Sequence, residues 1–164
     1  MERVAKDQLL ARIRDDRARF DRALSVVPSS RLTDPVLPGG WSVKDVLAHI
    51  AWGDREAIRV IGSRAMAGSQ LWALSEDERN AAVVRASRSQ PPETVLVEYR
   101  DAFDSYVAAL EELREADMNE PAHIEGLAER IPGWRPWRVL YDPNHYAEHR
   151  RTLEATFGKA RSPG

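Results

Sequence analysis

Apolar side chains in this sequence return every three or four residues along four long stretches, and nowhere do they alternate through a run of β-branched residues. A chain patterned this way buries one stripe per helix and has no material for a sheet, which predicts an all-α antiparallel bundle. The first stretch, Glu2 to Val27, carries Val4, Leu9, Leu10, Ile13, Phe20, Leu24 and Val27 with charges between them. PSSRLTDPVLPGG then reads as a loop. Ser42 followed by Asp45 makes a capping box, with Trp41 placed to staple the start against Val46, and a second helix is predicted from Val43 to about Ala67. Its apolar stripe is Val43, Val46, Leu47, Ile50, Ala57, Ile58 and Ile61; His49, Trp52, Gly53 and Glu56 form a neighbouring line at i, i+3, i+4, i+7.

Ser75 and Glu78 repeat the capping box and open a short helix to about Ser87. After SQPPE, the residues Val95, Leu96, Tyr99, Phe103, Tyr106, Val107, Leu110 and Leu113 define a third long helix over Glu93 to Glu115, which absorbs the strand-like run VLVEY. Ala116 to Tyr141 has no sustained period and reads as a long irregular connection over one end of the bundle. Asp142 with Pro143 behind it predicts the start of the last helix, which stops at Gly158, and the tail 159–164 is expected to fray. At 164 residues, 43% hydrophobic and 30% charged, the chain has the material of one domain with one core.

Charge and composition remove whole classes of function. Twenty-four Lys plus Arg against 26 Asp plus Glu leave a net charge of −2, which argues against nucleic acid or an acidic membrane as partner. The first helix is Arg-rich, with Arg12, Arg14, Arg17, Arg19 and Arg22, but Asp15, Asp16 and Asp21 interrupt it. The absence of cysteine excludes disulfides, thiolate metal sites and cysteine nucleophiles, so any metal must sit on His or carboxylate. MERVAKDQLLARIRDDRARF is too charged for a signal core and no run of 18 apolar residues occurs, so a cytoplasmic protein is expected.

Four histidines remain to carry chemistry. His145 and His149 are four apart on a predicted helix, which puts both rings on one face, one turn apart. His49 stands at the core-bordering line of the second helix, so a bundle that faces this helix against the last one closes a three-His site. Three neutral imidazoles suit a borderline divalent ion such as Zn²⁺ or Ni²⁺ and leave positions open for a reactant. The bland reading of HxxxH is a pair of hydrogen-bonded or solvated histidines. His123 lies in the long connection, away from this set.

The segments GGWSVKDVLAHIAWGDRE and NHYAEHRRTLEATFG resemble the two signature segments of the DinB-like (YfiT-like) metalloenzyme superfamily, in order and in distance. The tryptophan-rich second-helix segment and the closing HYAEH are also similar to the ClbS/DfsB branch. The resemblance implies a four-helix bundle, often dimeric, with metal ligands at His49, His145 and His149. It further implies activities that range over transferases and isomerases using a low-molecular-weight thiol and over hydrolysis of amides or rings.

By helix phase, Asp45, Tyr141 and Thr152 are placed to orient the imidazoles, although Asp45 also completes the helix cap. Glu56 is the candidate general base, against the plain description of a surface carboxylate. Gly53 removes a side chain one turn after His49, and Trp52, Trp134 and Trp137 are candidate walls of an apolar pocket. The leading expectation is a metal-dependent hydrolase or thiol-dependent transferase acting on a small electrophilic metabolite, xenobiotic or antibiotic-like molecule. Its rival is a protein of the same fold that binds such a molecule without turnover. Five tryptophans in one modest core, together with the habits of the superfamily, add the expectation of a homodimer.

Overall fold

The computed structural model describes residues 2–66 and 70–158. Among them the regular structure is helical, with only isolated bridges at Leu37–Trp41 and Ala65–Glu125. Four longer helices carry the bundle: α1 (Lys6–Leu24), α2 (Val43–Ser63), α4 (Pro92–Glu112) and α8 (His145–Phe157), with α3 (Glu76–Ser87) set against α2. Inside the stretch read as irregular lie three short helices: α5 (Glu115–Asn119), α6 (Leu127–Arg130) and α7 (Pro136–Leu140). Their four or five residues are too short to show a period, which is why pattern alone passes over them. No helix among the described residues is long and apolar enough to cross a membrane. The tail 159–164 and Ala67 lie outside the described residues.

Both capping boxes form as read: Ser42 with Asp45 opens α2, and Ser75 with Glu78 opens α3. Several helix ends differ from the sequence reading, each for a tertiary reason. α1 starts at Lys6 rather than Glu2 because Ala5 is extended and Val4 is tied to Asn119, its N–H donated to Asn119 Oδ1 (2.9 Å) and its carbonyl taking the Asn119 amide (2.8 Å). At the other end α1 closes at Leu24. α2 stops at Ser63 because Arg64 turns left-handed (φ 54°) and the chain then pairs with Glu125 through two backbone hydrogen bonds of 2.8 and 2.9 Å. α8 begins at His145, not Asp142: the Asp142 carboxylate accepts the Asn144 N–H (3.0 Å) and holds a turn ahead of the helix. α4 likewise ends at Glu112, where Leu113 goes extended and buried.

α2 packs mainly along α4, and α1 along α8. The interior divides into two buried clusters. Phe20, Leu47, Ile50, Val95, Tyr99 and Leu153 belong to one; Leu9, Ile13, Leu110, Met118 and Leu127 belong to the other. Trp134 and Trp137 lie against the second cluster. Arg residues of α1 are engaged: Arg17 with Asp21 (3.0 Å), Arg19 with Asp15 (2.8 Å), and Arg14 with Glu111.

Candidate metal centre

His49 leaves α2 two turns after the cap, and His145 and His149 leave the first two turns of α8. The three rings meet across the bundle with centroids 4.9 to 5.3 Å apart, and one nitrogen from each lies within 4.8 Å of the others. Nε2 of His49 and Nε2 of His145 are 2.8 Å apart, close enough for one neutral ring to donate to the other. Trp41 and His49 pack in a T-shaped arrangement, 5.5 Å between centroids.

Burial makes these rings poor bases. It pushes His49 down to about 3, helped by the neighbouring His145, His149 and Arg79, and His149 down to about 4, helped by His145. His145 is lowered by burial too, against the partial opposition of Asp142, Glu148 and Glu76. Rings that stay neutral keep their lone pairs, which is the state a divalent cation requires. The donor set therefore fits a borderline ion such as Zn²⁺ or Ni²⁺ on three nitrogens.

A cavity of about 260 Å³ opens beside His49 and His145. Trp52, Gly53, Glu56 and Tyr141 line it, as the line of residues on α2 suggested for the first three; so do Asp54, Arg79, Asn80, Tyr106 and Tyr146. A Cβ built on Gly53 would lie 3.9 Å from His145 Cε1, an ordinary contact, so crowding against the rings does not demand glycine there. Glu56 is buried and paired with Arg59 at 3.3 Å rather than standing as a surface carboxylate.

The residues placed by phase to orient the imidazoles are engaged elsewhere. Asp45 closes the capping box with Ser42, Thr152 donates to the Glu148 carbonyl (3.1 Å), and the Tyr141 hydroxyl donates to Asp16. Nδ1 of His49 is sealed from solvent with no hydrogen-bond partner. His123 is apart from the set: its Nδ1 meets the buried Asp117 at 2.9 Å, where Arg64 and Arg114 also converge. The Arg114 side chain beside Asp117 holds that carboxyl well below the usual range.

Sequence reasoning missed Asp54, although a signal was present. It stands four residues after Ile50 and three before Ala57, inside the apolar stripe of α2, where a carboxylate is out of place. Arg79 and Asn80 had no such signal, since only the packing of α3 on α2 brings them to the cavity.

The mycothiol maleylpyruvate isomerase N-terminal domain family matches residues 13–143, four-fifths of the chain. The chain belongs to this family. It is a DinB/YfiT-like member of the four-helix superfamily, in agreement with the resemblance read from the two signature segments. The matching family is named for the isomerase, and the likeness to the ClbS/DfsB branch stays an expectation read from the sequence. The match to the isomerase N-terminal domain includes His49 and stops two residues before His145, so the rest of the histidine cluster rests on the geometry of this chain. No curated protein and no solved structure matches.

Proposed function

We propose that this protein is a divalent-metal-dependent enzyme in which a low-molecular-weight thiol, or water in the hydrolytic variant, attacks a small electrophilic compound. The observation that carries the reading is the cluster of three half-buried, neutral imidazoles, two of which, His49 and His145, stand on the wall of a cavity of about 260 Å³. His49, His145 and His149 would hold the ion. When bound, a divalent ion there supplies Lewis acidity and lowers the pKa of a thiol or water nucleophile. The family description, which names a mycothiol isomerase, favours the thiol route over hydrolysis. Trp52 and the apolar part of the wall exclude water, and Arg79 adds positive charge near His49.

The test is metal content followed by turnover. Zinc-loaded protein is expected to carry one ion per chain, and His149→Ala to lose most of it while circular dichroism stays helical, because one ligand of three is gone and the apolar stripes are intact. His123→Ala is expected to keep its zinc. Equal loss in both variants would refute the ligand assignment. With N-acetylcysteine as thiol and benzylideneacetone as electrophile, more than one product per chain marks an enzyme; a single stoichiometric equivalent marks sequestration instead.

A further inference from the structure

The two buried apolar clusters are separated by a polar layer. On α1, Arg17 falls between Ile13 of one cluster and Phe20 of the other; on α2, Asp54 falls between Ala51 and Ala57 in the same way. Arg17 is 6% exposed and Asp54 7%. Arg17 Nη1, Asp54 Oδ2 and the Tyr146 hydroxyl are all closed to solvent without a hydrogen-bond partner. Each is a cost to folding that an apolar residue would remove.

Asp54 and Tyr146 line the cavity beside His49 and His145, whereas Arg17 does not. Asn80 Oδ1 and His49 Nδ1 on the same wall also lack a partner, whereas two other polar side chains there are engaged. Tyr106 donates its hydroxyl to the Leu140 carbonyl (2.7 Å), and Glu56 is held by Arg59. Asp54 thus lines the cavity, and its Oδ2 has no hydrogen-bond partner.

We propose that Asp54 is a catalytic residue of this cavity, a neutral carboxylic acid that protonates the oxygen anion formed when the nucleophile adds to the electrophile. The role rests on the reading of the site given above. In the step, the thiolate, its proton already given to solvent, forms the new bond to the β-carbon of an unsaturated carbonyl compound, the C=C pair shifts to give an enolate, and the enolate oxygen takes the proton of Asp54, leaving a carboxylate. When the enol returns to the carbonyl form, its O–H proton goes back to Asp54 and the electron pair either takes a proton from solvent at the α-carbon, giving the adduct, or expels the thiolate, giving back the alkene. Burial pushes Asp54 up to about 7, with Arg17 of α1 and the adjacent Arg55 pulling the other way. The hydroxyls of Tyr106 and Tyr146 interact electrostatically with it, and the other titratable groups of the cavity wall are the neutral rings of His49 and His145, the Tyr141 hydroxyl, Glu56, Glu76 and Asp142, and Arg79. A carboxyl poised there exchanges a proton at neutral pH in either direction.

The experiment compares wild type with Asp54→Asn, both labelled with ¹³C at the aspartate carboxyls. In metal-free protein, one resonance, absent from the variant, is expected to titrate near pH 7, while an ordinary aspartate titrates near 3.8. Zinc-loaded Asp54→Asn is expected to keep the wild-type zinc content, to lose about 100-fold or more in kcat with the two probes named above, and to lose the limb of the pH profile near neutrality. A resonance titrating below about pH 5, or a variant with kcat within about threefold of wild type, overturns the role. Should the variant fail to fold, the titration of wild type decides, because a carboxyl near neutrality stands apart from ordinary aspartates. Wild type without zinc-dependent turnover overturns the site reading, and this role with it, and is told apart from a failure at Asp54 alone by the intact titration.

Discussion

His49 and His149 are held at about 3 and 4, well below the 6.5 of a solvated imidazole, because their surroundings offer the charged ring neither water nor an anion. Between those values and 6.5 the unfolded chain binds protons that the native chain refuses, so stability from the three rings is complete above 6.5 and is lost as pH falls through the folded values. Asp54 acts with the opposite sign: raised from 3.8 to about 7, it favours the native state below 3.8 and loses that contribution as pH rises through 7. The two strongly lowered rings of His49 and His149, with His145 shifted in the same direction, outweigh one carboxyl in the overlapping window. Metal-free protein is therefore expected to lose stability from pH 6.5 to 4.5, by at most about 1.4 kcal/mol per histidine for each pH unit, and His49→Gln to flatten the slope. Urea midpoints across that range check it, and a midpoint that rises on acidification refutes it. At this scale much of the site was legible. HxxxH places two rings on one face by helical geometry alone, and His49 lies one turn past Asp45 on a helix whose start was clear. What was not legible is which groups lie opposite: Thr152 and Asp45 have the correct phase and bond elsewhere.

Helix starts marked by local chemistry proved readable, since a Ser side chain and an acidic residue three positions on satisfy backbone donors within one turn. Helix ends set by distant partners did not. Asn119 draws Val4 out of α1 and Glu125 draws Arg64–Met66 out of α2, across gaps of 115 and about 60 residues that no local window spans. Lys44 shows the same dependence. It is 8% exposed, and its ammonium donates to the carbonyls of Ser87, Arg88 and Gln90 at 3.2, 2.9 and 2.9 Å, closing the C-terminal end of α3 from α2. α3 brings Arg79 and Asn80 to the cavity, so this cap also positions the site. Lys44→Met is expected to cost about 1–3 kcal/mol and to speed amide exchange in α3 more than in α4. Equal exchange in both helices would show that the ammonium does not hold α3.

Across the whole molecule, Trp134 and Trp137 fold back on the cluster around Met118 and Leu140, and the Trp137 indole donates to the Glu2 carbonyl at 3.1 Å. That uses two of the tryptophans whose surplus suggested a subunit contact, while Val26, Val36, Leu74 and Val97 stay exposed. Pairing of two chains along their helices remains our proposal. Light scattering at micromolar concentration is expected to give twice the 18.5 kDa of one chain, and a mass that stays at 18.5 kDa as concentration rises refutes it. The all-α class, the long helices and two of the three histidines' shared face follow from the sequence by itself, because apolar spacing, caps and helical pitch act within a few residues of one another. Only the tertiary structure decided that His49 joins that face, that three short helices order the connection, and that Asp54 Oδ2 lacks a hydrogen-bond partner at the level where the two apolar clusters part. Those outcomes depend on which stripes are buried against which, and on the loss of water around a charged group once they are; no spacing along one helix encodes either.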